Sequence, residues 1–305
     1  MTNPVGGEEP PKENQLNRKK SAAEGFLQLI RPANSIMIGF AVIVGIAVTS
    51  HQYQQVFTMK ALLGFLTGFL LSCFSMISND LYDINVDRIN QPARPLVSGS
   101  VSIASAKIAA ALFLIAGIAA SIPLGPVNFG IASIFAFIAW FYNYRGKKLG
   151  LFGNSLVALS LAIPYIYGSA ILGNYSINLG YLLALTSFLA GIGREVLKGI
   201  ADVEGDKAGR AKTVAIIYGI QTAKAVVVAF FILAAASSTL PVALGLLHSA
   251  LYVYVGLIWI PDAIFLYLAY KAGQLKVESD ALKLKSIALG GMMAGLIAYL
   301  VAGLW

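Results

Sequence analysis

The residues able to do chemistry in this chain of 305 amino acids stand where its apolar segments stop. The run Ser78-Asn79-Asp80-Leu81-Tyr82-Asp83-Ile84-Asn85-Val86-Asp87-Arg88 brings three carboxylates and the Asn79 amide to the end of one such segment. At helical spacing Asn79, Asp83 and Asp87 recur every four residues, so one face stacks oxygen ligands, with Asp80 one and two turns from the other acids. Like charges at that spacing repel, which calls for a cation among them. A solvated acidic helix end is the plain alternative, but it would interleave lysine and has no use for an asparagine in register. A second cluster, Arg194-Glu195-Val196-Leu197-Lys198-Gly199-Ile200-Ala201-Asp202-Val203-Glu204-Gly205-Asp206, again sets two carboxylates, Asp202 and Asp206, four apart.

Hard oxygen ligands without histidine or cysteine suit magnesium, which takes one or two carboxylates and lets substrate phosphate complete its octahedron. The two histidines, His51 and His248, fall near the opposite ends of the apolar segments, and the single cysteine, Cys73, lies inside one. Zinc ligation, Ser-His-Asp catalysis and an intrachain disulfide therefore have no candidates. Two acidic clusters, each holding a divalent ion, would clamp a diphosphate and neutralise it as a leaving group. The basic residues of the same connections, Arg88, Arg94, Arg145, Lys147, Lys148 and Lys198, would add phosphate contacts, arginine in bidentate fashion and lysine as a point charge.

The elements that must position these residues follow from composition. Hydrophobic residues make up 58% and charged residues 12% of the chain, against roughly half and about a quarter in a soluble domain. The apolar residues gather into runs at about 27–49, 59–79, 103–122, 126–144, 151–173, 179–199, 221–240, 247–270 and 284–304, lengths that cross hydrocarbon as helices. An all-α integral membrane bundle of nine helices is expected, with domain limits 25–305. Residues 1–24, rich in Pro, Gly and charge, read as a disordered cytoplasmic tail without a signal-peptide core. With the N-terminus inside, every Lys and Arg but Lys60 falls in the tail or an inner connection, whereas eight helices would put the later basic loops outside. That places the C-terminus outside and the acidic clusters at the cytoplasmic face of a cell membrane. The formal charge of +8 is thereby accounted for by topology, and neither nucleic acid nor a protein partner is implied.

The run Asn79-Asp80-x-x-Asp83-x-x-x-Asp87 with Arg94-Pro95-Leu96-Val97-Ser98-Gly99 and Val101-Ser102 resembles the first signature of the UbiA superfamily of intramembrane prenyltransferases. Asp202-x-x-x-Asp206, within Val203-Glu204-Gly205-Asp206-Lys207-Ala208-Gly209-Arg210-Ala211-Lys212-Thr213, resembles the second. Similarity extends to Arg31-Pro32-x-Asn34, to Tyr142-Asn143-Tyr144 and to Gly153-Asn154. The resemblance implies a bundle around a central cavity, two magnesium ions at its cytoplasmic mouth and a prenyl diphosphate whose tail enters the bundle. It assigns one ion to Asn79 and Asp83, with Asp80 or Asp87 assisting, and the other to Asp202 and Asp206. It assigns Lys147, Arg94 and Arg145 to the diphosphate, and Asn34 and Tyr142 to the cavity wall, the Tyr142 ring facing an allylic cation. The second signature departs from the usual pattern at Gly199 and Ala201, where further acids are common, so Glu195 or Glu204 are the available helpers.

Within the superfamily the wording is most similar to archaeal members that add a second geranylgeranyl chain to geranylgeranylglyceryl phosphate. Members that prenylate an aromatic ring are the nearer alternative. A transporter is the alternative from another class, but its acids would gather at the midplane. Only Asp262, after Pro261 in the eighth segment, stands there, facing either the cavity or a polar partner.

Overall fold

The structure, a computed structural model, describes residues 21–203, 212–247, 250–275 and 278–305. Among them nine helical spans are long and apolar enough to cross a membrane, as the sequence predicts. The first is split. Helix α1 (Ala22–Ile30) opens with a capping box between Ser21 and Glu24, so the described chain is already helical within the expected tail, whose earlier residues lie outside the described ones. It meets α2 (Pro32–Ser50) at Arg31. Pro32 lacks an N–H and crowds the preceding residue out of the right-handed region, and Arg31 takes a left-handed conformation (φ 45°).

Helix α3 (Met59–Asn90) is capped by Thr58 and outruns its apolar segment by eleven residues, so the whole first acidic motif is helical. The short α4 (Pro95–Ser98) follows, then α5 (Ile103–Ser121), α6 (Pro126–Tyr144), α7 (Leu151–Ile171) and α8 (Leu179–Ala201). The remaining elements are α9 (Val214–Ile217), α10 (Ile220–Ser237), α11 (Leu240–Ala243), α12 (Leu251–Gly273) and α13 (Glu278–Leu304). The break between the 221–240 and 247–270 runs is present, with Pro241 inside the one-turn α11 and the chain turning at Gly245 before α12. His51 sits at the C-terminal cap of α2, and His248 lies outside the described residues.

Helices in lipid gain little from burying apolar surface against one another, so close approach and polar contacts hold them. Where α2 crosses α7, a Cβ on Gly168 would stand 2.3 Å from the Val42 carbonyl oxygen and one on Gly45 2.5 Å from that of Tyr165. At the end of that pair away from the acids, Thr49 meets Ser169 (2.7 Å) and Asn178 (3.1 Å), and Asn178 caps α8. One core cluster joins the helices through α7 and another joins α8 to α13, with α7 and α8 packed between. Large apolar side chains such as Leu112, Ile115, Trp259 and Ile260 point outward, as they do on a surface solvated by acyl chains.

Candidate active site

The last three turns of α3 carry three acids on a surface that leaves hydrocarbon, and each acid is met by a cation supplied from elsewhere in the chain. Asp80 is buried, and its Oδ1 accepts from Arg31 (2.6 Å) and from Arg94. The left-handed break between α1 and α2 presents Arg31, whose Nη1 also lies 3.6 Å from the Met76 sulfur. Arg94 sits at the N-terminal cap of α4, where Gln91 accepts from its Nε (2.9 Å), and that Nε stands 3.8 Å from Asp87. Asp87 is buried as well.

Asp83 accepts from Lys147 at 2.6 Å. Lys147 belongs to the single turn Gly146–Lys148 between α6 and α7. Gly153 makes that position possible, because a Cβ there would stand 2.3 Å from the Gly146 carbonyl oxygen. The ammonium lies 5.8 Å from the Tyr142 ring centre, a cation–π distance. Burial lowers its pKa from the ordinary lysine value, while Asp83, Asp87 and Asp80 draw it back up.

Asn79 donates to Asn143 (3.0 Å), and Asn143 donates in turn to the Ala139 carbonyl (3.0 Å). Half a turn of the Asn79 amide brings its oxygen to 2.8 Å from the Lys147 ammonium and its nitrogen to 3.2 Å from Asp83. In that second orientation, which gives up the bond to Asn143, the Asn79 and Asp83 oxygens converge on the Lys147 ammonium. Among the described residues no three His, Cys, Asp or Glu side chains form a complete metal cage. A pair of hard oxygens that leaves the rest of the shell to water and substrate phosphate is what magnesium takes from protein. The donor set fits.

The second motif is built differently. Asp202 terminates α8, its backbone N–H bonding the Lys198 carbonyl (3.0 Å), and its side chain is half-buried. Asp206 and Glu204 lie outside the described residues. Arg194 pairs with Glu195 at 2.8 Å, and its Nε is buried with no hydrogen-bond partner. Of the remaining expected contacts, Arg88, Arg145, Lys148, Lys198 and Asn34 are exposed. Arg145 lies over the Tyr144 ring at 5.3 Å. None of these four cations forms an ion pair among the described residues.

Two participants escape the sequence reading. Arg31 counts there only as an inner-face charge, although Arg31-Pro32-x-Asn34 was a usable signal. Asn143 lies within the Tyr142-Asn143-Tyr144 similarity but acts only through α6 meeting α3.

A nine-span bundle with two acid-bearing helix ends is the architecture of an intramembrane transferase, and the comparisons place it. Residues 38–297 match the UbiA prenyltransferase family, and the chain belongs to that family. It is 32% identical over 284 residues to digeranylgeranylglyceryl phosphate synthase of Archaeoglobus fulgidus, covering 92% of this chain and 95% of that one. The enzyme of the same name from Methanosphaera stadtmanae is 30% identical, covering 92% and 99%. A solved structure of digeranylgeranylglyceryl phosphate synthase in membranes superposes with a TM-score of 0.81 at 28% identity, covering 93% and 99%. A UbiA homolog from Archaeoglobus fulgidus bound to GPP and Mg2+ shares the fold, with a TM-score of 0.63 at 17% identity and coverage of 90% and 99%.

Proposed function

We propose that this multi-pass membrane prenyltransferase moves a geranylgeranyl group from geranylgeranyl diphosphate to the free hydroxyl of geranylgeranylglyceryl phosphate and releases diphosphate. The single observation that carries the reading is the paired guanidinium group at Asp80. Arg31 and Arg94 share one carboxylate oxygen, with Asp87 3.8 Å from Arg94, so two guanidinium groups stand side by side with N–H donors still unspent beside the acidic face. Lys147 stands one turn away for a second anion. A diphosphate donor and a phosphate-bearing acceptor need that many cations; an aromatic acceptor needs fewer. The similarity to enzymes named for this reaction supports the same choice.

Two magnesium ions, one held by Asn79 and Asp83 with Asp87 near and one by Asp202 and Asp206, would neutralise the departing diphosphate. The chain's own side chains do the rest. Lys147 and Arg94, with Arg145 and Lys148 at the edge, grip diphosphate oxygens as the C1–O bond breaks and the electron pair leaves with them. Tyr142 presents its ring face toward the allylic cation. Arg31 holds the acceptor phosphate so that its hydroxyl oxygen forms the new bond to C1, after which the proton departs. Asp80 serves this arrangement as the anchor of both arginines. Asn34, Arg88 and Lys198 line the approach.

The Lys and Arg distribution supports a cytoplasmic N-terminus, an outer C-terminus and a site at the cytoplasmic face. Offering purified protein geranylgeranyl diphosphate with geranylgeranylglyceryl phosphate and 4-hydroxybenzoate in competition, and weighing the products by mass spectrometry, tests the reading. Doubly alkylated glyceryl phosphate is expected. Exclusive prenylation of the ring would overturn the acceptor while leaving the family assignment intact.

A further inference from the structure

The three acids of the first motif each have a cation nearby, but among the described residues Asp262 has none. It is the twelfth of the 23 residues of α12, on the order of 17 Å from either end of that helix. Its Oδ2 lies 2.8 Å from the Ser238 hydroxyl, while its Oδ1 is buried without a hydrogen-bond partner. Among the described residues no Lys, Arg or His pairs with it. A bare carboxylate at that depth costs about 2.5–3.5 kcal/mol on insertion scales.

Asp262 borders a small, partly open cavity between α8, α10, α12 and α13, with free space about that of a single water. Oxygen atoms line it from three directions: Thr186 and Ser187 of α8, Ser238 at the end of α10, and Tyr299 of α13. Thr186 lies 3.3 Å from the Tyr299 hydroxyl and 2.9 Å from Ser237, and Tyr254 braces the wall by donating to the Ser238 carbonyl (2.7 Å). The Ser238 hydroxyl has one proton and two acceptors, the Ala235 carbonyl at 2.6 Å and Asp262. When the carbonyl takes that proton, Ser238 Oγ and Asp262 Oδ2 face each other as two acceptors 2.8 Å apart, with the unpartnered Oδ1 beside them. Three oxygens rich in lone pairs and poor in protons, around a space too small for a hydrated ion, form a cage for a small dehydrated cation.

We infer that Asp262, Ser238 and the hydroxyl groups around them bind one monovalent cation of sodium size inside the bundle. The site is distinct from the transfer site: Thr186 and Asp202 are separated by on the order of 24 Å along α8. A single carboxylate matches a single positive charge, and no second acid is at hand for a divalent ion.

Binding of ²²Na⁺ to the purified full-length protein, at constant magnesium and with choline replacing sodium, tests this. Saturable binding of about one ion per chain is expected, lost in Asp262→Asn and weakened at least about tenfold in Ser238→Ala. The thermal midpoint of the wild type should rise with sodium at fixed ionic strength, and that of Asp262→Asn should not respond. Should Asp262→Asn fail to fold, the wild-type titration and Ser238→Ala decide alone. Absence of saturable binding to the wild type overturns the site. So does a midpoint that responds to pH and not to sodium, because the carboxyl is then neutralised by a proton.

Discussion

The two acidic motifs carry similar residues but are built on opposite plans. The first lies wholly inside α3, with Asp80 clamped by Arg31 and Arg94 and Asp83 by Lys147. The second begins where α8 ends, with Asp202 already at the helix terminus and Asp206 beyond it. A helix interior holds its ligands at fixed separations, whereas a helix terminus frays more readily. On the proposed reading, α3 would meet the diphosphate from fixed positions and α8 would meet it from its terminus.

On the proposed reading both motifs act on the same leaving group, so the largest losses test the shared part of the comparison. Asp83→Ala and Asp202→Ala are each expected to reduce transfer by about 10²–10³-fold, the usual cost of one lost electrostatic stabiliser. Monodisperse protein by size exclusion would show that folding survives. Near wild-type turnover in either variant, measured with excess Mg2+, would separate the motifs and remove the clamp.

Lys147 belongs to the α3 arrangement alone. A hydrogen bond to a charged group is worth about 1.5–3 kcal/mol, so Lys147→Met should slow transfer by about 10–100-fold. Lys60→Met, near the start of α3 at the end away from the acids, is the control and should match the wild type. Equal rates for the two variants would reduce Lys147 to a topological charge.

Much of this plan is legible in the sequence because hydrocarbon permits few solutions. Nine apolar runs, the Lys and Arg bias and the four-residue spacing of Asn79, Asp83 and Asp87 lead to the bundle and the acidic face without tertiary knowledge. The partners of the acids do not follow from spacing. Arg31 reaches Asp80 across 49 positions of sequence, and Asn143 reaches Asn79 across 64, each through a helix crossing that no local pattern encodes. Arg31 was also masked by a sufficient reason to be where it is, since any cation there obeys the inner-face rule. The continuation of α3 past its apolar run is already implied by the four-residue spacing through Asp87, and the helix runs on to Asn90.

Asp80 separates anchoring from ion binding within the first motif. In Asp80→Asn the shape remains but the charge shared by Arg31 and Arg94 is gone, so both arginines should loosen. The expected result is a KM for the phosphate-bearing acceptor raised about tenfold, with kcat changed less. Loss of kcat on the scale of Asp83→Ala would instead make Asp80 an ion ligand, and a weaker apparent affinity for Mg2+ would accompany it.

The smallest expected effect probes the last turn of α8. Gly199 lies in its last turn, three residues before Asp202, and its backbone is not in the left-handed region. A Cβ added there would touch Thr213 Cβ at 3.4 Å, an ordinary contact, so alanine fits without moving a neighbour. Glycine within a helix costs about 0.5–1 kcal/mol relative to alanine, so Gly199→Ala should stabilise this turn by about that amount. Amide exchange of Lys198 to Asp202 should slow by a few-fold, and that change measures the stiffening directly. If transfer does not need this turn to move, it stays within about twofold of wild type. A loss of tenfold or more, with exchange slowed as expected, would show that the last turn of α8 must itself unwind for Asp202 to reach the diphosphate. In that case α8 would differ from α3 in having a motif that works only when its helix end opens.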